Sequence, residues 1–286
     1  MTVKTSRLTS HRNSTRVFEW LRFIVPAVWA ILIIVPLLSM VSIALKSSTD
    51  YTKNPIGIPQ PFVWANFAKA WTQGDLPSAF LNNLIITIVA VAMVVLVGSL
   101  ASYGLTRWIG RTGRVAYMYF ILGLIVPFQL GLPSLYKIWV NLGWVDSLGG
   151  VILVHIGAAL PLAIFLFSGF LLSVPLELEE AASIDGAGDI RTFFSIVFPL
   201  LRPITATVSI LTGIAVWNDL IVSLFFLQSP ENLTLPRVLV GYSGLFGTNV
   251  PLLFSSAIIS IAPIVVGFIV LQRFFVAGLT SGALRG

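Results

Sequence analysis

Six stretches of the chain, residues 23–45, 84–105, 115–136, 148–172, 204–227 and 250–271, each run for more than 20 residues almost without charge. Asp219 is the one carboxylate inside them and His155 the one histidine. About 20 apolar residues span a bilayer as a helix, and a backbone in lipid satisfies its polar groups only within helices or closed barrels. A buried core helix of a soluble protein is the alternative for any single run, but not for six in succession. The pattern predicts an all-α membrane protein of six transmembrane helices. Charged residues make up 10% of the chain, against about 25% in soluble domains.

The first run follows basic residues, as a signal peptide would. It is too long for that, carries Pro26 and Pro36, and passes into Lys46 without a small-residue cleavage site, so it is expected to be retained. Orientation follows from Lys and Arg. With six spans, Lys4, Arg7, Arg12, Arg16, Arg22, Arg107, Arg111, Arg114, Arg191, Arg202, Arg273 and Arg285 share one side; Lys46, Lys53, Lys69, Lys137 and Arg237 share the other. This bias places both termini in the cytoplasm. The net charge of +6 therefore reflects topology and not nucleic-acid binding. The expected organisation is a basic tail over 1–22, a six-helix domain over 23–275 and a second cytoplasmic tail over 276–286.

With no cysteine, thiol catalysis and thiolate metal sites are excluded, and two histidines, His11 and His155, make no metal cluster. No phosphate-binding G-x-x-x-x-G-K-[ST] loop is present, so the chain is not expected to hydrolyse ATP or to be an enzyme. Residues 46–82 form a long external segment. Within it "WANFAKAW" reads as a short interfacial helix with Trp64, Phe67 and Trp71 toward lipid headgroups.

The acids are concentrated: Glu177, Glu179, Glu180, Asp185 and Asp189 are five of 11 in the whole chain. They lie in the cytoplasmic segment 173–203. Pro175 and the early glutamates suit a helix start, Gly186 and Gly188 suit its end, and Asp189 is placed to cap a second helix. In that helix Ile190, Phe193, Phe194, Val197 and Leu201 form an apolar stripe, ended or kinked by Pro199 and Pro203. A helix–turn–helix results. Its stripe can pack on its own bundle, lie on the membrane, or dock into a groove of another protein.

"EEAASIDGAGDIRTFFSIVFPLLRP" resembles the EAA loop of permease subunits of binding-protein-dependent ABC importers, with matches at Glu180, Ala181, Ala182, Asp185, Gly186, Ala187, Phe193, Ile196, Pro199, Leu200 and Pro203. Phe198 stands where Leu is more usual. The ending "LQRFFVAGLTSGALRG", with "NNLIIT" and "WND", resembles the carbohydrate branch of maltose-transport type; Ala277 and Leu284 depart from its usual basic residue and Val. The resemblance implies a six-helix fold in a bacterial or archaeal plasma membrane. It implies a heterodimer with a second permease, a separate dimeric cytoplasmic ATPase that holds ATP–Mg and grips the loop, and an external solute-binding protein that delivers a sugar. No cofactor is expected in this chain. Glu180 and Asp185 either pair with the ATPase or cap their own loop, the latter being expected of at least one.

For the solute path the candidates are Gln129, between Pro127 and Pro133, and Trp217, Asn218 and Asp219 in "AVWNDL". An aromatic face with amide and carboxylate oxygens suits a sugar, and an intramembrane acid is functional by default. Alternatively Asn218 and Asp219 hydrogen-bond a neighbouring helix, and His155 is an interhelical hydrogen-bonding residue. Two other readings stay open: a proton-coupled secondary transporter using Asp219, and an importer permease for a solute other than sugar.

Overall fold

A computed structural model describes residues 10–72, 75–107, 111–245 and 249–283, and those residues contain helices but no strand. The chain divides into two compact units, residues 1–70 with 246–258 and residues 71–245 with 259–286.

In the first unit, α1 (Ser10–Ala44) holds Pro26 and Pro36 within it. From Phe23 to Leu38 its apolar side chains are exposed, Phe23 at 76% and Trp29 at 62%, as expected of a lipid-facing span. α2 (Ser48–Lys53) is capped by Ser47, whose hydroxyl oxygen accepts from the Asp50 N–H at 3.0 Å. Lys46 is fully buried, donates to the Asn54 carbonyl and lies 3.9 Å from Asp50. α3 (Ala65–Thr72) forms where the sequence predicts it, and its Asn66 closes the end of α1 by donating to the carbonyls of Ala44 and Lys46, both at 2.8 Å.

The second unit is built on α4 (Leu76–Arg107), followed by α5 (Arg111–Ile125), α6 (Leu132–Leu142) and α7 (Leu148–Leu171). Small residues let α4 and α7 approach: Gly98 faces Ala163, and the Ser102 hydroxyl donates to the Ile164 carbonyl at 3.2 Å. The third apolar run is not one straight helix. Pro127 interrupts it, residues 128–131 form a 3-10 turn, and the two halves meet at 92°.

After α8 (Glu177–Ile184) and α9 (Asp189–Thr192), a π-helical turn over 193–197 leads into α10 (Phe198–Leu200). α11 (Arg202–Trp217) then leaves at 78° to the preceding helix, with Pro203 in its first turn. The fifth run therefore differs from the continuous 204–227 helix the sequence predicts: it stops at Trp217, and α12 (Ile221–Phe226) is separate. α13 (Leu235–Leu245) and α14 (Val250–Ala283) complete the described chain. Among the described residues, four helices are long and apolar enough to cross a membrane, and up to six spans result if each bent pair counts as one.

Two buried clusters hold the second unit. One joins Ile86 and Ala90 of α4 to Val151, Val154, Val216 and Phe226; the other joins Val94 to Phe167, Leu171, Phe193, Val197 and Leu201. The second cluster anchors the 173–203 segment to the helices.

Candidate coupling site and solute-path residues

α8 begins just after Pro175, and Glu177, Glu179 and Glu180 occupy its first turn, where carboxylates meet free N–H groups and the positive end of the helix dipole. It ends in a backbone lock: the Ala187 N–H donates to the Ala182 carbonyl at 2.9 Å and the Gly186 N–H to the Ser183 carbonyl at 3.0 Å. This Schellman pairing needs a left-handed residue, and Gly186 supplies it with φ +83°. Asp185 closes the helix through its backbone, and neither its side chain nor that of Glu180 hydrogen-bonds another described residue. The self-capping expected of one of them is thus replaced by main-chain capping. Asp189 also departs from expectation: Gly188 holds the cap position, in extended conformation, and Asp189 sits in the first turn of α9 without a side-chain capping bond.

The predicted apolar stripe divides. A π turn widens the helix by one residue per turn, so Phe193, Val197 and Leu201 point together into the bundle, all at most 1% exposed. Phe193 stacks obliquely on Tyr103 of α4, with centroids 5.2 Å apart. Ile190 at 75% and Phe194 at 45% exposure face outward with Ile184 at 86%. Of the matched residues, Glu180, Ala181, Asp185 and Gly186 are exposed, Ala187, Ile196 and Pro199 half-buried, and Ala182 and Phe193 buried. The segment is a knob whose inner face packs on its own helices while its outer face offers small, acidic and apolar groups.

One carboxylate of the cluster is engaged, and sequence reasoning passed it over. Glu179 lies 2.6 Å from Arg107 Nη2 and accepts from Arg107 Nε at 2.8 Å and from the Tyr103 hydroxyl at 3.0 Å. Arg107 ends α4, 72 residues away. Only the spatial meeting of the two segments reveals the pair.

The solute-path candidates fall at helix breaks. Gln129 is exposed in the 3-10 turn at the 92° bend. Asn218 and Asp219 lie between α11 and α12. Asn218 is exposed and donates to the Ile214 carbonyl of its own helix at 2.8 Å. Asp219 Oδ2 accepts from the Val222 N–H at 2.8 Å and lies 4.0 Å from His155 Nε2 on α7. Trp217 is placed otherwise than a free stacking platform: it is 6% exposed, its indole N–H donates to the Ser260 carbonyl at 3.0 Å, and its ring meets Phe80 edge-on at 5.8 Å. It helps line an apolar cavity of about 550 Å³ with Leu84, Thr87, Gly213 and Phe268. Such a lining offers few partners for sugar hydroxyls.

A second polar knot, also unforeseen, ties the turn before α7 to the segment after α12. Asp146 accepts from the N–H groups of Gln228 at 2.9 Å and Ser229 at 3.1 Å and from the Ser229 hydroxyl. Burial alone would raise its pKa; these bonds, with Asn232, outweigh it and hold the carboxyl at about 2.

The family model of binding-protein-dependent transport system inner membrane components matches residues 94–281. The chain is 38% identical over 253 residues to the melibiose/raffinose/stachyose import permease protein MelC of Bacillus subtilis (strain 168), covering 88% of this chain and 91% of that protein. It is 32% identical over 279 residues to the arabinooligosaccharides transport system permease protein AraQ of Halalkalibacterium halodurans, covering 96% and 99%. It is 28% identical over 275 residues to the diacetylchitobiose uptake system permease protein NgcG of Streptomyces coelicolor, covering 96% and 91%. The fold is similar to that in a crystal structure of a bacterial ABC transporter involved in the import of the acidic polysaccharide alginate, with a TM-score of 0.81 and 20% identity over 96% of this chain and 100% of that one. Permeases of this kind are not enzymes; they generally work with a second permease, an ATPase and a solute-binding protein, and the proton-coupled alternative is not favoured. The chain belongs to the family of binding-protein-dependent transport system inner membrane components.

Proposed function

We propose that this chain is one of two related permease subunits of an ATP-driven oligosaccharide importer, with ATP–Mg held by a separate dimeric ATPase. Support comes from relatives named for the import of melibiose, raffinose and stachyose and of arabino-oligosaccharides, which align over 88% or more of the chain. Both termini and residues 173–203 lie on the cytoplasmic side in this reading, on the Lys and Arg asymmetry. The ATPase grips the outer face of the knob: Glu180, Ala181, Asp185 and Gly186 at its surface, with Ala182, Ala187, Phe193, Ile196 and Pro199 shaping it. Gln129, Asn218 and Asp219 line the solute path, where broken helices free polar groups for hydroxyls. Trp217 supports them from behind.

The test is co-purification. The chain is expressed with its genomic neighbours, captured in detergent, and the bound proteins are identified. A second permease and an ATPase are expected, with ATP hydrolysis stimulated by an external binding protein loaded from a panel of raffinose, stachyose, arabino-oligosaccharides and diacetylchitobiose. A homomer that transports unaided would overturn the reading.

A further inference from the structure

Among the described residues of the second unit, α4 is the one long span without an interior proline or break. Pro161 lies inside α7 and Pro263 inside α14, and the third and fifth spans are bent. The only proline of α4, Pro77, is its second residue, and the helix runs 32 residues, about 48 Å. Both its ends are tied by side chains. At one end Arg107 and Tyr103 occupy both oxygens of Glu179, Arg107 through Oε1 and Tyr103 through Oε2, and Arg107 Nη2 also donates to the Val174 carbonyl at 3.4 Å. At the other end Asn83, 2% exposed, donates to the Trp217 carbonyl at 3.2 Å. Trp217 is the residue before the Asn218–Asp219 break. Asn82 donates beside it to the carbonyls of Glu231 and Leu233 at 2.7 and 3.1 Å.

The covalent route from α8 to that break is compliant by comparison. It passes the Gly186–Gly188 turn, a π-helical turn and a 78° bend. An ion pair with side chains only 16% and 12% exposed is little screened by solvent, and the planar guanidinium fixes direction as well as distance. Coupling between distant sites is carried by rigid elements and by hydrogen-bond and ion-pair networks, and lying between the sites is not enough.

We propose that Glu179 and Arg107, steadied by Tyr103, bind α8 and α4 into one moving body, and that α4 delivers displacement of α8 to the α11–α12 break through Asn83. They are positioning residues. The proposal rests on the coupling reading of residues 173–203.

Because the chain has no cysteine, Ile221→Cys, at an exposed position on α12, gives a single reporter thiol. The complex with its co-purified ATPase and second permease is placed in lipid nanodiscs. Alkylation of this thiol by N-ethylmaleimide is followed by mass spectrometry with and without ATP–Mg and vanadate. The reference complex should show a nucleotide-dependent change in rate. Glu179→Gln and Arg107→Gln should shrink that change about tenfold, the size of one lost coupling of ordinary strength, while ATP hydrolysis continues. Tyr103→Phe should shrink it less, and the reversed pair Glu179→Arg with Arg107→Glu should restore it. A merely structural pair would lower complex yield without altering the response of what assembles; if the single variants do not assemble, Tyr103→Phe and the reversed pair decide. An undiminished response in the assembled variants overturns the linkage. So does a reference complex that hydrolyses ATP with no change at position 221. A reference complex that hydrolyses no ATP overturns the importer reading instead.

Discussion

A Cβ on Gly98 of α4 would stand 3.0 Å from the Cβ of Ala163 on α7, closer than van der Waals contact allows. The two helices meet at that point with only the Ala163 methyl between them, and the ring of Phe167 lies 3.7 Å from the same position. Gly98→Leu must separate the helices or force both off their rotamers, at a cost of about 1–3 kcal/mol. Gly98→Ala should cost less. Thermal unfolding of the detergent-solubilised complex, followed by size-exclusion recovery, should rank them wild type, Ala, Leu.

The two loop glycines are not equivalent. Gly186 has φ +83° and open space around its would-be Cβ, so its substitution strains backbone and meets no side chain. Gly188 is also open but has φ −78°, available to any residue. Gly186→Ala should destabilise the loop by about 1 kcal/mol and raise its cleavage in limited proteolysis; Gly188→Ala should leave cleavage unchanged.

Ala181 separates docking from loop stability. It is exposed on α8, so Ala181→Trp should leave membrane insertion and the proteolysis pattern as in wild type. It should reduce co-purification of the ATPase, since a bulky side chain holds a partner surface away. Full ATPase recovery would count against the outer face of the knob as the gripped surface.

The spans were legible because lipid leaves a helix so few substitutes: apolar length alone locates them. The α8–turn–helix pattern was legible from Pro175, the early glutamates and Gly186, which act locally. What stayed hidden depends on contacts distant in sequence. Glu179 reads as one acid among five until Arg107 is beside it, and Asp146 reads as an ordinary turn residue until residues 228 and 229 close on it. The π turn hid for another reason: no residue type marks it, and it brings Phe193, Val197 and Leu201 inward together while Ile190 and Phe194 face outward.

Asp146 gives a pH prediction. Its carboxyl is held at about 2 in the folded chain against an ordinary value of 3.8. A lowered folded-state pKa means the charged form is the stabilising one. Its contribution is complete above pH 3.8 and fades as pH falls through about 2. Asp146→Asn should therefore lower the melting temperature at pH 6, and the gap to wild type should narrow as pH falls through that window.

Asp219 can be tested as a solute contact against a purely structural helix cap. Its Oδ2 accepts from the Val222 N–H at the start of α12, a bond that the carbonyl oxygen of asparagine can also make. Asp219→Asn should thus keep the helix start and lose only charge. A charge-assisted hydrogen bond is about twice as strong as a neutral one, so a sugar held by this carboxylate should show a raised KM in the Asn variant with its maximal rate largely kept. Uptake should remain ATP-dependent throughout. Asp219→Ala should lose more, because the Val222 N–H is then left without its partner, a loss of about 1 kcal/mol, and His155 faces a void. Transport measured in proteoliposomes across a panel of sugars separates the outcomes. An unchanged KM in Asp219→Asn would remove Asp219 from the solute path and leave it a hinge cap. Loss of all concentrative uptake in Asp219→Asn, with ATP hydrolysis intact, would instead make its charge part of the coupling between hydrolysis and transport.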